Sequence, residues 1–367
     1  VLPRLNDEIN EEWISDKTRF ACDGLKRQRL DMPYVRKDGK LQPATWPQAF
    51  AAIRERISGL AGAKIAAIAG DQADCEAMIA LKALMTGLGS TNIDCRQDGA
   101  KLGREFRAGY IFNSGIAGIE NADALLIVGS NPRWEAAVLN ARIRKRSLMG
   151  PFPIGLIGEV KDLSYSYQHL GTDPAALKKL LSGRSDFAKV LKAAQRPMLI
   201  IGQGALTRPD GAAVLSLARE VAEKFGIHVP AKSWNGFNVL HTAAARVGGL
   251  DLGFLPGDGG RDVAGILEGA GNGEIEAVYL LGADEIDISR LGKAFVIYQG
   301  HHGDKGAHRA DVILPGAAYT EKNATYVNTE GRVQQTRLAA FPPGDAREDW
   351  TIIRALSDVL GKSIACH

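Results

Sequence analysis

The sequence predicts an α/β protein: parallel sheets flanked by helices, in two or more subdomains. Three observations predict it. Short apolar runs end, one after another, in glycine or polar turns. Amphipathic helices separate those runs, the alternation expected of parallel strands covered on both faces. The length of 367 residues also exceeds what one hydrophobic core usually organises.

Each element follows from its local pattern. Residues 1–60 read as irregular, then helical. WPQAFAAIRERISGL repeats Phe50, Ile53, Ile57 and Leu60 at helical spacing, with Thr45 as N-cap and Pro47 in the first turn. A first α/β subdomain is expected at 61–195. AKIAAIAG reads as a buried strand, AMIALKALMTGLG as a helix and NIDC as a short strand. ADALLIVGSNPR is a buried strand entering a Gly-Ser-Asn-Pro turn. PRWEAAVLNARIRKRSL reads as one helix opened by Pro132, and FPIGLIG as the next strand. A second subdomain is expected at 196–310, with strands in RPMLIIGQGALTR, EAVYLLGAD and AFVIYQGHHGD and an amphipathic helix in GAAVLSLAREVAEKFGI. Its stretch 233–272 fits neither period and is expected to form loops and short helices over one edge. Residues 311–367 read as a strand, ADVILPGAAYTE, then a turn and a helix, AREDWTIIRALSDVLGK, packing back on the core.

Composition excludes several classes. A net charge of +3 gives no basic excess for nucleic acid. Cys22, Cys75, Cys95 and Cys366 lie far apart with no C-x-x-C pair, so neither a disulfide framework nor a zinc or iron–sulfur site is expected from this chain; a reducing compartment fits. No apolar segment approaches the roughly 18 residues that span a bilayer, and no signal peptide is visible. Membrane proximity is expected only through a partner. The chain opens mid-pattern without Met and reads as an excised or processed part of a longer one.

Several motifs invite chemistry. The turns Gly129-Ser130-Asn131, Gly202-Gln203-Gly204, Gly282-Ala283-Asp284 and Gly300 to Gly306 each follow a strand. Such turns can cradle phosphates, because glycine lets backbone N–H groups approach and a helix N-terminus favours anions. Any parallel sheet also needs glycine there, and that structural role is the one expected. None is a G-x-G-x-x-G or a G-x-x-x-x-G-K-[ST], so NAD or ATP binding is unsupported. His301, His302, Asp304 and His308 match no zinc spacing and are read as bridging loops. Arg142, Arg144, Lys145 and Arg146 cluster at a helix C-terminus, where positive charge suits the dipole; they are expected as a solvated helix end or a subunit contact. No nucleophile constellation emerges, and no catalytic residue is assigned.

ENADALLIVGSNPRWEAAVLNARIRK, YQGHHGD and ADVILPGAAYTEKNATYVNTEGRVQ resemble segments of molybdopterin-dependent oxidoreductases such as formate dehydrogenases and nitrate reductases. Ala310 to Pro315, Glu321, Ala324-Thr325 and Asn328-Thr329-Glu330-Gly331-Arg332 follow that family's order. LPRLNDEINEEWISDKTRFACDGLKRQRL, GHHGDKGAHRADVILPGAAYTEKNATYVNTEGRVQQT and PPGDAREDWTIIRALS narrow the resemblance to the large iron–sulfur subunits of respiratory NADH:quinone oxidoreductase, complex I. The resemblance covers nearly the whole chain.

It implies a molybdopterin-oxidoreductase-like fold that has lost its cofactor, with no catalytic residue and no metal. The portion would be a scaffold in the arm that passes electrons from NADH towards quinone. Its partners would be other peripheral-arm subunits and the subunit's own N-terminal iron–sulfur domains, whose 2Fe-2S and 4Fe-4S ligands precede this segment. Its place would be the cytoplasmic face of a bacterial inner membrane, or the matrix side in a mitochondrion. The degenerate cradle would include Gly129, Ser130, Asn131, Gly202, Gly204, His302, Glu321, Asn328 and Arg332, expected to be unoccupied. The region of the metal ligand offers Cys95 and, more weakly, Ser114. Ala324 stands where the family has glycine, putting a methyl where backbone nears the ligand. The alternative is an active molybdopterin-dependent oxidoreductase domain.

Overall fold

A computed structural model describes residues 1–228 and 233–365; Cys366 lies outside the described residues. The apolar runs become the strands of two sheets, each the centre of one compact unit. The first unit comprises residues 1–22, 100–242 and 329–332, and the second 23–99, 243–328 and 333–367.

In the first unit the strands lie in the order Gln168–Gly171, Ile154–Ile157, Ala124–Val128, Pro197–Ile201 and Phe237–Val239, all parallel. Every residue of the middle three is buried. Ile127, Leu156, Met198 and Ile200 meet Ile143 of the covering helix in one core, where each such side chain contributes about 1.5–3 kcal/mol. Phe237–Val239 lies inside the stretch expected to hold no strand. Its three residues are too few to set a period, yet all are buried against Pro197–Ile201.

The expected single helix from Pro132 is two, Pro132–Glu135 and Ala137–Leu148, because Ala136 leaves helical geometry at φ −148°, ψ 66°. The Glu135 carboxylate turns back to accept from Ser130 Oγ at 2.7 Å and Asn131 N–H at 2.9 Å, closing the first turn on itself. The basic cluster beyond it is largely consumed internally, which corrects the expectation of a solvated helix end. Arg142 is buried and donates to Glu120 at 3.0 Å and the Asp7 carbonyl at 2.7 Å. Lys145 pairs with Glu11 at 2.5 Å and Glu120 at 3.2 Å. Arg146 lies 4.6 Å over the Phe152 ring and donates to Ala122 O at 2.7 Å. Arg144 remains exposed.

In the second unit seven strands run Lys40–Pro43, Tyr34–Lys37, Val312–Pro315, Phe295–Gly300, Ala277–Leu281, Ile65–Ala69 and Asn92–Asp94. The last five are parallel; the first two form a hairpin set antiparallel on Val312–Pro315. That hairpin lies in the segment read as irregular. It turns on Asp38 and Gly39, both at positive φ (49° and 78°), the requirement of a type I′ turn. Helix Trp46–Ile57 starts at Thr45 with a reciprocal cap: Thr45 N donates to Gln48 Oε1 at 2.9 Å and Thr45 Oγ1 accepts from Gln48 N at 3.5 Å. Helix Asp349–Val359 packs on helix Cys75–Gly87. Helices Arg246–Leu252 and Val263–Asn272 lie in the rest of 233–272, as short helices were expected to.

The units interleave along the chain, where the sequence suggested consecutive blocks at 61–195 and 196–310. The chain lays down Ile65–Ala69 and Asn92–Asp94, departs to build the whole five-stranded sheet, then returns with three more parallel strands. In each sheet the earliest parallel strand is flanked on both sides by later ones, creating a switch point where connections leave in opposite directions. A crevice opens outside the carboxyl ends of the strands at such a point.

Candidate cofactor-type clefts

Each unit carries a cleft at its switch point. In the second unit it holds about 470 Å³ and is lined from the turns that follow Ile65–Ala69, Ala277–Leu281 and Phe295–Gly300. These turns pack tightly at their base: a Cβ on Gly70 would lie 1.9 Å from the Gly282 carbonyl oxygen. The turns bring in carboxyls, namely Asp71, Asp284, Glu285 and Asp304. Burial raises Asp71 above the ordinary carboxylate range, with Arg246 partly offsetting it. Burial also raises Asp284, helped by Asp304, and raises Glu285, helped by Asp71 and Asp284. Asp71 and Glu285 hydrogen-bond to each other.

A buried charge network forms the floor. Lys322 Nζ lies 2.6 Å from both Asp74 and Asp349. Burial pulls the ammonium down, but the two carboxylates outweigh it and hold its proton well above the usual range. Asp74 also caps helix Cys75–Gly87 by accepting from Ala77 N at 2.7 Å. Asp349 accepts from Gln299 Nε2 at 2.9 Å, and Gln299 Oε1 accepts from the Tyr279 hydroxyl.

In the first unit the cleft holds about 330 Å³ between the turns after Ala124–Val128, Ile154–Ile157 and Pro197–Ile201. Gly129 sits at φ 58°, and a Cβ there would fall 2.5 Å from Ala205 Cβ. The turn therefore needs glycine to pack against its neighbouring turn. The backbone N–H and hydroxyl that an anion would use are already bonded to Glu135.

The nine cradle residues are divided between the two units. Gly129, Ser130, Asn131 and Gly204 line the first-unit cleft, with Gly202 packed beneath Ser130. His302 lines the second-unit cleft, its Nε2 against Gly24 O at 2.9 Å and its Nδ1 2.5 Å from His301 Nδ1. Glu321 is held by both arms of the Arg29 guanidinium at 2.5 Å. Asn328 follows the strand Thr325–Val327 of the second unit, whereas Arg332 belongs to the first and pairs with Glu330 at 2.7 Å and Glu8 at 2.5 Å. Asp304 opens the short helix Lys305–Arg309, on which His308 is exposed. Among the described residues no group of three His, Cys, Asp or Glu side chains converges to hold a metal ion. Cys95 is 1% exposed, and burial pushes its thiol up to about 12. Ser114 Oγ is engaged with Gly115 O at 3.0 Å and Asn238 Oδ1 at 3.2 Å. Sequence reading missed Asp71, Gln97, Glu285, Lys322 and Glu135; for Asp71 and Glu285 the available signal was their position just beyond a strand's carboxyl end.

The family model described as "Molybdopterin oxidoreductase" matches residues 29–359. The chain belongs to this family. Within the molybdopterin oxidoreductase family it is 49% identical to the mitochondrial NADH-ubiquinone oxidoreductase 78 kDa subunit of Neurospora crassa, over 98% of this chain and 48% of that protein. It is 47% identical to a bacterial NADH-quinone oxidoreductase subunit from Rickettsia bellii, over 98% of this chain and 51% of that protein. The resemblance to the large iron–sulfur subunits of complex I thus holds over nearly the whole chain, which spans about half the length of these relatives. Residues 1–23 match the "NADH-ubiquinone oxidoreductase NDSU1/NuoG-like, 4Fe-4S domain". Acetylene hydratase from Pelobacter acetylenicus shares the molybdopterin oxidoreductase fold at TM-score 0.68 and 13% identity, over 99% of this chain and 65% of that one. A chain of the formyltransferase/hydrolase complex from Methylorubrum extorquens does so at 0.64 and 20%, over 90% and 99%. No helix of the described residues is long and apolar enough to cross a membrane.

Proposed function

We propose that this chain is a non-catalytic scaffold portion of a complex I iron–sulfur subunit, part of an assembly that transfers electrons from NADH to quinone. One observation carries the reading: in both clefts carboxylates stand at or occupy the groups that would receive a phosphate. In the first unit Glu135 already bonds the turn's N–H and hydroxyl. In the second, four carboxyls line the walls, and the ammonium of Lys322 is committed to Asp74 and Asp349. In the second cleft a pyrophosphate would be repelled; in the first the turn's donors are taken by Glu135, and Lys161 and Arg208 on its walls are paired with Glu159 and Asp210, where an active relative needs attraction. The donor set for a metal is equally unfavourable. A thiolate, not a thiol, binds metal, and burial keeps Cys95 protonated. The residues present therefore do not fit a molybdopterin dinucleotide.

On this reading the 2Fe-2S and 4Fe-4S clusters belong to the subunit's N-terminal domains. This chain's partners are those domains and neighbouring peripheral-arm subunits. It sits on the cytoplasmic or matrix side of the membrane and inserts nothing into it. Elemental analysis of the purified protein for molybdenum and tungsten, with organic phosphate, tests the proposal. Background levels are expected; one metal per chain would overturn it.

A further inference from the structure

We propose that the cleft of the second unit binds a small organic polycation, a di- or polyamine. Carboxyls reach it from three separate turns, Asp71 after one strand, Asp284 and Glu285 after the next, and Asp304 after the third. Against them Lys305 is the available cation on the walls. Lys322 is spent on Asp74 and Asp349, and Arg246, behind Asp71, is bonded to Asp98 at 2.8 Å. His301 stays neutral, because burial, then His302, drives it down to about 3.

A second observation points to a ligand independently of the charges. Gln97 lines the cleft and is 6% exposed, and its Nε2 donates to Glu285 at 3.2 Å. Its Oε1 is buried with no hydrogen-bond partner, as is Asp71 Oδ1. Buried acceptors without donors are costly, and a group bringing several N–H donors relieves both. An alkylammonium carries three.

Size and geometry select the class of cation. A divalent ion with six waters fills roughly 200 Å³ at about 30 Å³ per water, far less than the 470 Å³ present. Among the described residues no three His, Cys, Asp or Glu side chains converge closely enough to chelate one. Carboxyls spread along several walls suit a chain with ammonium groups at intervals. Burial raises both Asp71 and Glu285, and ammonium groups seated beside them would favour their charged forms. The groups facing that pair are Gln97, Asp284, Arg246 and Asp98.

The test is calorimetric titration of the full chain with spermidine at neutral pH. Saturable binding is expected. Glu285→Gln and Asp71→Asn should each weaken it by about tenfold or more, while Glu159→Gln in the first unit leaves it unchanged. Far-UV circular dichroism establishes that each variant is folded, and Glu285→Gln, at the more exposed site, stands if Asp71→Asn does not fold. Absence of saturable binding, equal binding in the folded variants, or equal affinity for magnesium overturns the proposal. The scaffold reading fails separately, on molybdenum content.

Discussion

His301 presses its Nδ1 to within 2.5 Å of His302 Nδ1, with Arg29 and Lys322 nearby. Burial first, then these like charges, pull its value from 6.5 down to about 3. The unfolded chain takes up a proton near 6.5, but the folded chain refuses it until far lower pH. The depressed group thus contributes stability above 6.5 that is lost progressively as pH falls towards 3. His301→Gln removes that loss. Between pH 7 and pH 5 the parent should lose about 2 kcal/mol more than the variant, read from urea unfolding at both pH values. A gap that stays constant with pH would show that the ring is not held neutral. Such a role was invisible in the sequence, where HHGD looks like any polar turn. Lys322 was equally hidden, since nothing in TEKNAT marks its lysine as 4% exposed. Thr45 could be read because a cap depends only on near neighbours; the meeting of Asp71, Gln97 and Glu285 could not, because it depends on strands some 200 residues apart.

Elements buried on both faces were legible, because continuous apolar runs such as ALLIV and PMLII have no other stable home. Gln168–Gly171 was not, being a polar strand at a sheet edge with no buried residue. The Asp38-Gly39 hairpin carried a readable signal that the apolar periodicity of its flanks was too weak to announce. The break at Ala136 had none, since PRWEAAVL is a good helical sequence. Beside the break, the Glu135 side chain satisfies the start of its own turn in place of an anion. Glu135→Ala should destabilise the protein by about 1–3 kcal/mol through loss of charge-assisted bonds. It should also leave an N–H and a hydroxyl facing the cleft. Sulfate should then raise the melting temperature of the variant and not of the parent. A parent that responds as strongly would mean Glu135 does not block the anion position.

At the scale of the molecule, the order of strands in space decides what can fold. The centre of the five-stranded sheet pairs Ala124–Val128 with Pro197–Ile201, and the seven-stranded sheet pairs Ile65–Ala69, beside its edge strand Asn92–Asp94, with Ala277–Leu281. A cut between 195 and 196 separates both pairs. Fragments 61–195 and 196–310, the blocks suggested by reading strands in sequence, would each hold parts of two sheets, with strands stripped of a native neighbour and buried apolar faces left open. Fragment 100–242 instead carries all five strands of the first-unit sheet and the helices that cover it. Expressed separately, 100–242 should show dispersed amide resonances and a cooperative thermal transition. The other two should be aggregated or protease-sensitive. The reverse outcome would contradict the strand order, because a fragment cannot bury Ile68 or Ile200 without the strand that lies beside it.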